Sequence, residues 1–285
     1  MNHQIVKLSP GLYFVATPIG TARDITLRAL DILASVDVLA AEDTRSLRRL
    51  MDIHGIPLGG RRLMTYHDHS REGDRKRLEE AISAGAAVAY ASEAGMPLIS
   101  DPGFELARAV QSAGHTVTVA PGASAVTSAL AIAGLPTDAF LFAGFLPNAR
   151  TARRARLEAL KPVDATLVFF ESPNRVAASL ADAQSVLGGE REAALCRELT
   201  KRFEEVRKGT LAELAEGAKE VPPKGEIVLV VDRGRSDGVK ADELEQELVA
   251  ALDHMSVKDA AEMVAAAHKV PKRQVYQMAL KLAKG

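Results

Sequence analysis

Along the first half of the chain, apolar runs of strand length alternate with stretches whose apolar residues recur at helical spacing. Leu12–Thr17 (LYFVAT) runs into ITLRALDILASV. Asp37–Asp43 (DVLAAED) runs into TRSLRRLMDIHG, where Thr44 is placed to cap the helix start and Gly55 its end. LMTYHDH precedes the charged stretch REGDRKRLEEAISAG, AAVAYAS precedes FELARAVQSAG, and HTVTVAPG precedes ASAVTSALAIAG. Five strand-then-helix units in succession predict a mostly parallel sheet covered on both faces.

The pattern changes after Gly134. FLFAGFLP, ATLVFFES, REAALCREL, RFEEVRKGT and GEIVLVVD read as strands, and REAALCRELTKRFEEVRKGT leaves no room for a helix between two of them. That stretch predicts a hairpin, and with it a mixed sheet. RGRSDGVKAD is a polar, glycine-containing linker, after which ELEQELVAALDHM, SVKDAAEMVAAAHKV and PKRQVYQMALKLAKG read as helices. The expected fold is therefore α/β. A mostly parallel domain spans residues 1–122, a mixed-sheet domain spans 123–234 with the boundary within 120–137, and a helical tail spans 240–285.

Composition adds little to this and charge adds one constraint. The 285 residues are 47% hydrophobic and 26% charged, ordinary values for a globular protein. With 36 Lys and Arg against 37 Asp and Glu, bulk charge excludes no partner, and a nucleic-acid surface must be a local patch. The opening MNHQIVKLSPGLYFVATPIG lacks the long apolar core of a secretory signal, and no run approaches the ~18 apolar residues of a membrane span. Cys196, the only cysteine, rules out an intrachain disulfide and argues against cysteine-ligated zinc. A cytoplasmic protein is expected.

In an open α/β sheet, ligands bind beyond the carboxyl ends of strands. The unusual residues collect there: TPIG, AEDTR, YHDH, SEAGMPLISDPG and PGAS in the first half, then FFESPNR, RELTK and KGE. The loop after the fourth strand has neither of the glycine spacings that cradle a phosphate. Several of these residues have two readings. His67 and His69 could face one metal or be polar loop residues; with no third ligand in view, no metal is expected. Glu171 and Arg175 could act in a site or form an ion pair across a helix start. Glu42 and Asp43 could do chemistry or favour the helix N-terminus that follows. RRLMTYHDHSREGDRKR and NARTARRAR suit phosphate contacts or a solvated helix face, and Cys196 reads as core filler.

Taken together, LYFVATPIGTARDITLRAL, AEDTRSLRRL, SEAGMPLISDPGFELARA, PGASAVTSALAIAGLPTDAFLFAGFLP, FFESPNR, RELTKRFEEVRKG and KGEIVLVV resemble the ribosomal RNA small subunit methyltransferase I family, within the tetrapyrrole methylase superfamily. SVKDAAEMVAAAHKVPKRQVYQMAL resembles the helix-turn-helix-like piece that ends many members, so the resemblance covers nearly the whole chain. The chain departs from the family pattern at Thr21 and Ala22 (usually Asn-Leu), Glu93 (Asp), Met96 (Thr) and Asn174 (His), changes that bear on cofactor affinity.

The resemblance implies two α/β domains that hold S-adenosylmethionine in the cleft between them. Pro18, Glu93, Ala94, Gly95, Leu98 and Ile99 would contact it from one side, and Ser124, Ala125, Phe170, Leu199, Glu226 and Ile227 from the other. The implied reaction is methylation of a cytidine ribose 2′-hydroxyl in 16S rRNA near the decoding centre. Glu42, Asp43, His67, Glu171 and Lys201 are the candidate bases or orienting groups. Lys201 is favoured for the chemical step, to orient or deprotonate the 2′-hydroxyl; as a base it would need burial or neighbouring cations to lower its pKa. Arg45, Arg175 and Arg197 would clamp RNA phosphates, as would the basic third tail helix with Lys269, Lys272 and Arg273. A homodimer acting on 16S rRNA or the small ribosomal subunit is the implied assembly. C-methylation of a tetrapyrrole on the same scaffold is the alternative reaction, and a non-catalytic RNA-binding module the alternative class.

Overall fold

The computed structural model describes residues 2–67, 70, 72–99, 103–234, 241–268, 270 and 272–283. His69, Lys269, the Ser100–Pro102 part of the fourth loop and the linker core at 235–240 lie outside them.

The first half builds β1 (Gly11–Val15), α1 (Leu27–Ser35), β2 (Val38–Ala41), α2 (Thr44–Ile53), β3 (Arg62–Thr65), α3 (Glu72–Ser83), β4 (Ala87–Ala91), α4 (Phe104–Ser112) and β5 (Val117–Ala120). Its five strands form a parallel sheet in the order β3-β2-β4-β1-β5. Strand β4 is buried along its whole length and serves both faces by alternation. Ala87, Ala89 and Ala91 let α1 and α2 approach closely, while Val88 and Tyr90 meet Leu78, Ile82, Leu106 and Val110 of α3 and α4. The expected threonine cap is replaced by Asp43. Its carboxylate accepts the Arg45 N–H at 2.9 Å, and Thr44 becomes the first helical residue. Gly55 follows the end of α2 with a left-handed φ of 68°.

Helix α5 (Ala125–Ala133) leads to β6 (Phe140–Phe145), α6 (Arg150–Leu160), β7 (Thr166–Glu171), α7 (Val176–Leu187), β8 (Glu192–Arg197), β9 (Glu205–Thr210), α8 (Leu211–Glu220) and β10 (Ile227–Val231). The order β6-β7-β10-β8-β9 has one parallel pair and three antiparallel pairs, and β8–β9 is the expected hairpin. One face of this sheet packs on α6, α7 and α8 through Leu167, Phe169, Leu195 and Leu229. Its other face packs on α5 through Val168, Ala194, Cys196 and Val228, joined by Ile19 from the loop after β1. That second core ties the loop after β1 to the second sheet. Burial there pushes the Cys196 thiol up to about 11, so it stays a protonated apolar filler.

Helices α9 (Ala241–Leu252), α10 (Val257–His268) and α11 (Lys272–Leu282) enclose their own small core around Leu248, Ala260, Val264 and Ala279. No helix among the described residues is long and apolar enough to cross a membrane.

Candidate active site

Because β10 runs antiparallel to its neighbours, its amino end meets the carboxyl ends of β7 and β8. Those ends open with the carboxyl ends of β2, β4 and β6 onto one cleft of about 390 Å³. Ile19, Ala125, Phe145, Phe170, Leu199 and Val228 form apolar walls, with Ala94 and Ile227 beside them. Glu42 and Glu93 contribute carboxylates from the first half, and Glu171 and Glu226 from the second. No Lys or Arg lines the cleft among the described residues. Its size is that of a small-molecule site. A cleft with this lining suits a molecule that is flat and apolar over part of its surface and cationic or rich in hydrogen-bond donors at its ends.

The first half shapes its side through backbone bonds. Thr17 and Gly95 exchange N–H···O bonds of 3.0 Å in both directions, and the Ser92 hydroxyl donates to the Gly95 carbonyl at 2.7 Å. Gly95 has a φ of 84°, and a Cβ there would stand 3.2 Å from the Ile19 Cγ2. Backbone conformation and packing against Ile19 thus already call for glycine here, in addition to the close approach to the cofactor that the resemblance implies.

The second half shapes its side through the turn after β8. Glu198 and Thr200 hold left-handed φ values of 49° and 61°, strain that favours neither residue type. Glu198 is held by two bonds to its carboxylate, the Glu226 N–H at 2.9 Å and the Lys201 ammonium at 3.2 Å. The Glu226 hydrogen bond draws its pKa below the usual value; burial opposes this and Lys201 assists it. Thr200 accepts the Thr21 N–H at 3.3 Å, which brings the β1 loop onto this turn. A Cβ on Gly20 would come within 2.4 Å of the Thr200 Oγ1 and 2.9 Å of the Leu199 carbonyl, so the junction requires glycine there.

The candidate bases separate on this geometry. Glu42 lines the cleft at the end of β2. Asp43 is the cap of α2; that bond to the Arg45 N–H, with the Arg45 side chain and Ser46, lowers its pKa. His67 follows the edge strand β3, gives its backbone N–H to the Ser70 Oγ at 2.8 Å, and is not part of the lining. Glu171 touches the cleft, but its buried carboxylate is engaged by the Ser172 N–H (2.9 Å), the Ser179 hydroxyl (2.5 Å) and Arg175 (3.4 Å). Lys201 stands beside the cleft, with its ammonium 2.9 Å from Glu226 and 3.2 Å from Glu198. Burial would lower its pKa, yet the two carboxylates outweigh burial and raise it. A base would need a lowered value; the raised one makes Lys201 a cation, which keeps the orienting role.

The proposed phosphate clamps are mostly committed to the fold. Arg175 reaches the Leu146 carbonyl as well as Glu171, and Arg197 binds Glu205 at 2.9 Å and the Lys224 carbonyl at 3.1 Å. Lys272 pairs with Glu262 across α10 and α11. Arg45, its side chain 91% exposed, and exposed Arg273 lie open to solvent. Within NARTARRAR, Arg153 is buried against Asp182 at 2.7 Å. In the other basic stretch, Arg61 donates to the carbonyls of Leu33, Pro57 and Leu58. Arg75, Lys76 and Arg77 pair with acids of α3.

Of the expected cofactor contacts, Glu93, Ala94, Ala125, Phe170, Leu199, Glu226 and Ile227 line the cleft. Pro18, Gly95, Leu98, Ile99 and Ser124 do not. Leu98 and Ile99 are 38% and 40% exposed in the same loop as Gly95, and Ser124 precedes α5 without capping it. Sequence reasoning missed Ile19, Phe145, Val228 and the bond that Glu198 accepts from the Glu226 N–H. Phe145 is hidden by a register shift between Phe142 and Phe145, which brings both rings against Phe170, at 4.8 and 5.6 Å. Ile19 could have been found from its place in TPIG. No group of three or more His, Cys, Asp and Glu that could hold a metal ion occurs among the described residues.

Comparison with known proteins agrees with this architecture. The model of the Tetrapyrrole (Corrin/Porphyrin) Methylases family matches residues 11–215, and that of the RsmI C-terminal HTH domain matches residues 238–283. The chain is 47% identical to the ribosomal RNA small subunit methyltransferase I of Mesorhizobium japonicum, covering 96% of this chain and 93% of that one. It is 42% identical to the protein of the same name from Halalkalibacterium halodurans, covering 94% and 93%. Among solved structures, diphthine synthase superposes with a TM-score of 0.61 at 17% identity, over 78% of this chain and 89% of that one; this likeness is one of fold.

Proposed function

The chain belongs to the ribosomal RNA small subunit methyltransferase I family, and from that membership we propose that it transfers a methyl group from S-adenosylmethionine to a cytidine ribose 2′-hydroxyl of 16S rRNA near the decoding centre. The observation that carries the chemistry is the cleft between the sheets, apolar on its walls and lined by four carboxylates, with no basic side chain among the described residues. When bound, the cofactor supplies a methyl group already activated by a sulfonium. Ile19, Phe145, Phe170, Leu199 and Val228 suit its adenine, and Glu93 and Glu226 suit its cationic and hydroxyl-bearing ends.

The protein has two remaining tasks: to align the hydroxyl and to receive its proton. Glu42, a carboxylate that lines the cleft at the end of β2, receives the proton. The Lys201 ammonium, fixed by Glu226 and Glu198, orients the ribose or its phosphate at the cleft edge. An RNA substrate also gives the helical tail a use that a tetrapyrrole would not. The same reading carries a homodimer and a cytoplasmic site of action.

The test is incubation of the full-length protein with labelled S-adenosylmethionine and unmethylated small ribosomal subunits, with a porphyrin precursor in parallel. Label recovered as 2′-O-methylcytidine is the expected result. Label on the tetrapyrrole would establish the alternative reaction. Cofactor binding without transfer to either substrate would leave a binding module.

A further inference from the structure

The tip of the β8–β9 hairpin carries a feature that the cleft does not use. The Lys201 carbonyl accepts the Glu204 N–H at 3.1 Å, closing a turn with Arg202 and Phe203 at its two central positions. The Glu204 carboxylate returns to the Thr200 N–H at 2.6 Å, so the turn is braced from both ends. Turn centres favour Gly, Pro, Asn and Asp, each for a backbone reason. Phenylalanine offers none of these, and here its side chain stands on the surface, 62% exposed. The Arg202 guanidinium lies over the Phe203 ring, 5.4 Å from its centroid. An exposed aromatic face paired with an arginine is the chemistry by which proteins stack an unpaired nucleic-acid base. The tip also adjoins the reaction centre, since Leu199 and Glu226 line the cleft and Lys201 bridges to Glu226.

We propose that Phe203, with Arg202 behind it, is a stacking platform for an unpaired RNA base next to the methylated nucleotide. It is a positioning residue: by holding the neighbouring base it sets which ribose reaches the cleft. Every base has a π-face, so the platform contributes register more than sequence preference. The proposal rests on the RNA-methylating function proposed above.

Phe203→Ala and Phe203→Trp in the full-length protein test it, with unmethylated small subunits as substrate. F203A should raise KM for the subunit roughly tenfold, the loss of one stacked base, with kcat and cofactor affinity close to the parent's. F203W should restore KM. The chain contains no tryptophan, so the indole introduced by F203W is the sole emitter of its kind, and its fluorescence should be quenched when a single-stranded 16S rRNA fragment binds. Unchanged KM in F203A, or unquenched emission at saturating RNA, would overturn the platform while the parent's activity kept the functional reading intact. A shift in oligomeric state for F203A in sedimentation would overturn it too, by assigning the tip to a second copy of the chain. A parent that methylates no RNA would sink both readings.

Discussion

The two halves of the chain meet at one cleft but build their sides of it differently. The first half uses a parallel sheet whose loops are tied by backbone bonds, as between Thr17 and Gly95, and turns Glu42 and Glu93 to the cavity. The second half uses a mixed sheet whose loops are tied by charges: Glu171 with Arg175, Arg197 with Glu205, and Lys201 with Glu198 and Glu226. Charged residues at strand ends are architecture on both sides, as in the Asp43 cap of α2, the Glu171 network and the Arg197–Glu205 pair, and the second half uses more of them this way. A group already saturated by buried partners contributes shape, because moving it would expose unpaired donors and acceptors.

The sharpest way to break this contrast is to remove the proposed proton acceptor. Glu42→Gln should lower kcat on small subunits by about 100-fold or more, with Tm and cofactor affinity near the parent's. A kcat within a factor of a few of the parent's would exclude Glu42 as the base. Glu171→Ala tests the other side. It leaves Arg175 and the Ser179 hydroxyl without their buried acceptor, and should cost roughly 3 kcal/mol of stability by chemical denaturation. If instead the protein keeps its stability and loses its kcat, Glu171 belongs to the chemistry.

Lys201→Met should have a smaller effect, about tenfold in the single-turnover rate at saturating RNA and cofactor. The ammonium is held above its usual 10.5 by the two carboxylates against burial, so it is charged throughout the neutral range. A rate that rises with pH through neutrality in the parent and loses that rise in K201M would reveal a neutral amine and reverse the assignment.

The smallest effect concerns Glu198. Its folded carboxyl titrates below the ordinary 4.5, mainly through the Glu226 N–H. Its stabilising share is therefore complete above that value and fades as pH falls through the lower folded one. Glu198→Gln should lower Tm at pH 7 by about 2 °C or less and flatten the acid-side decline. An acid limb identical to the parent's would mean that the contact contributes nothing measurable.

The strands and helices were legible because burial enforces their periods. The buried alternation along β4, the shared run REAALCRELTKRFEEVRKGT and the amphipathic tail could be read without coordinates. The cap of α2 was misread by one residue, since Asp43 offers a carboxylate where Thr44 offers a hydroxyl. Glu42, Glu93 and Leu199 lie in stretches that position beyond a strand end had singled out, and the resemblance named Glu93 and Leu199 as cofactor contacts. Phe145 was not, because a bulge moves it to the face that regular alternation assigns to Phe142. Nor does any local pattern announce that Glu198 adopts a left-handed backbone.

By itself, then, the sequence determined the α/β alternation, the hairpin and mixed second sheet, the separate helical tail, and the family through motifs spread along the chain. Those features depend on local periodicity and on residue order. The tertiary structure decided which charges are partnered and which face the cleft, because an ion pair depends on distances between segments far apart in the chain. Asp43 became a cap, Arg175 and Arg197 became braces, and Lys201 became a cation between two carboxylates. Whether a charged group acts or supports is set by its neighbours in space, and those are chosen only when the second sheet packs on α5 and the loop after β1 joins them through Ile19.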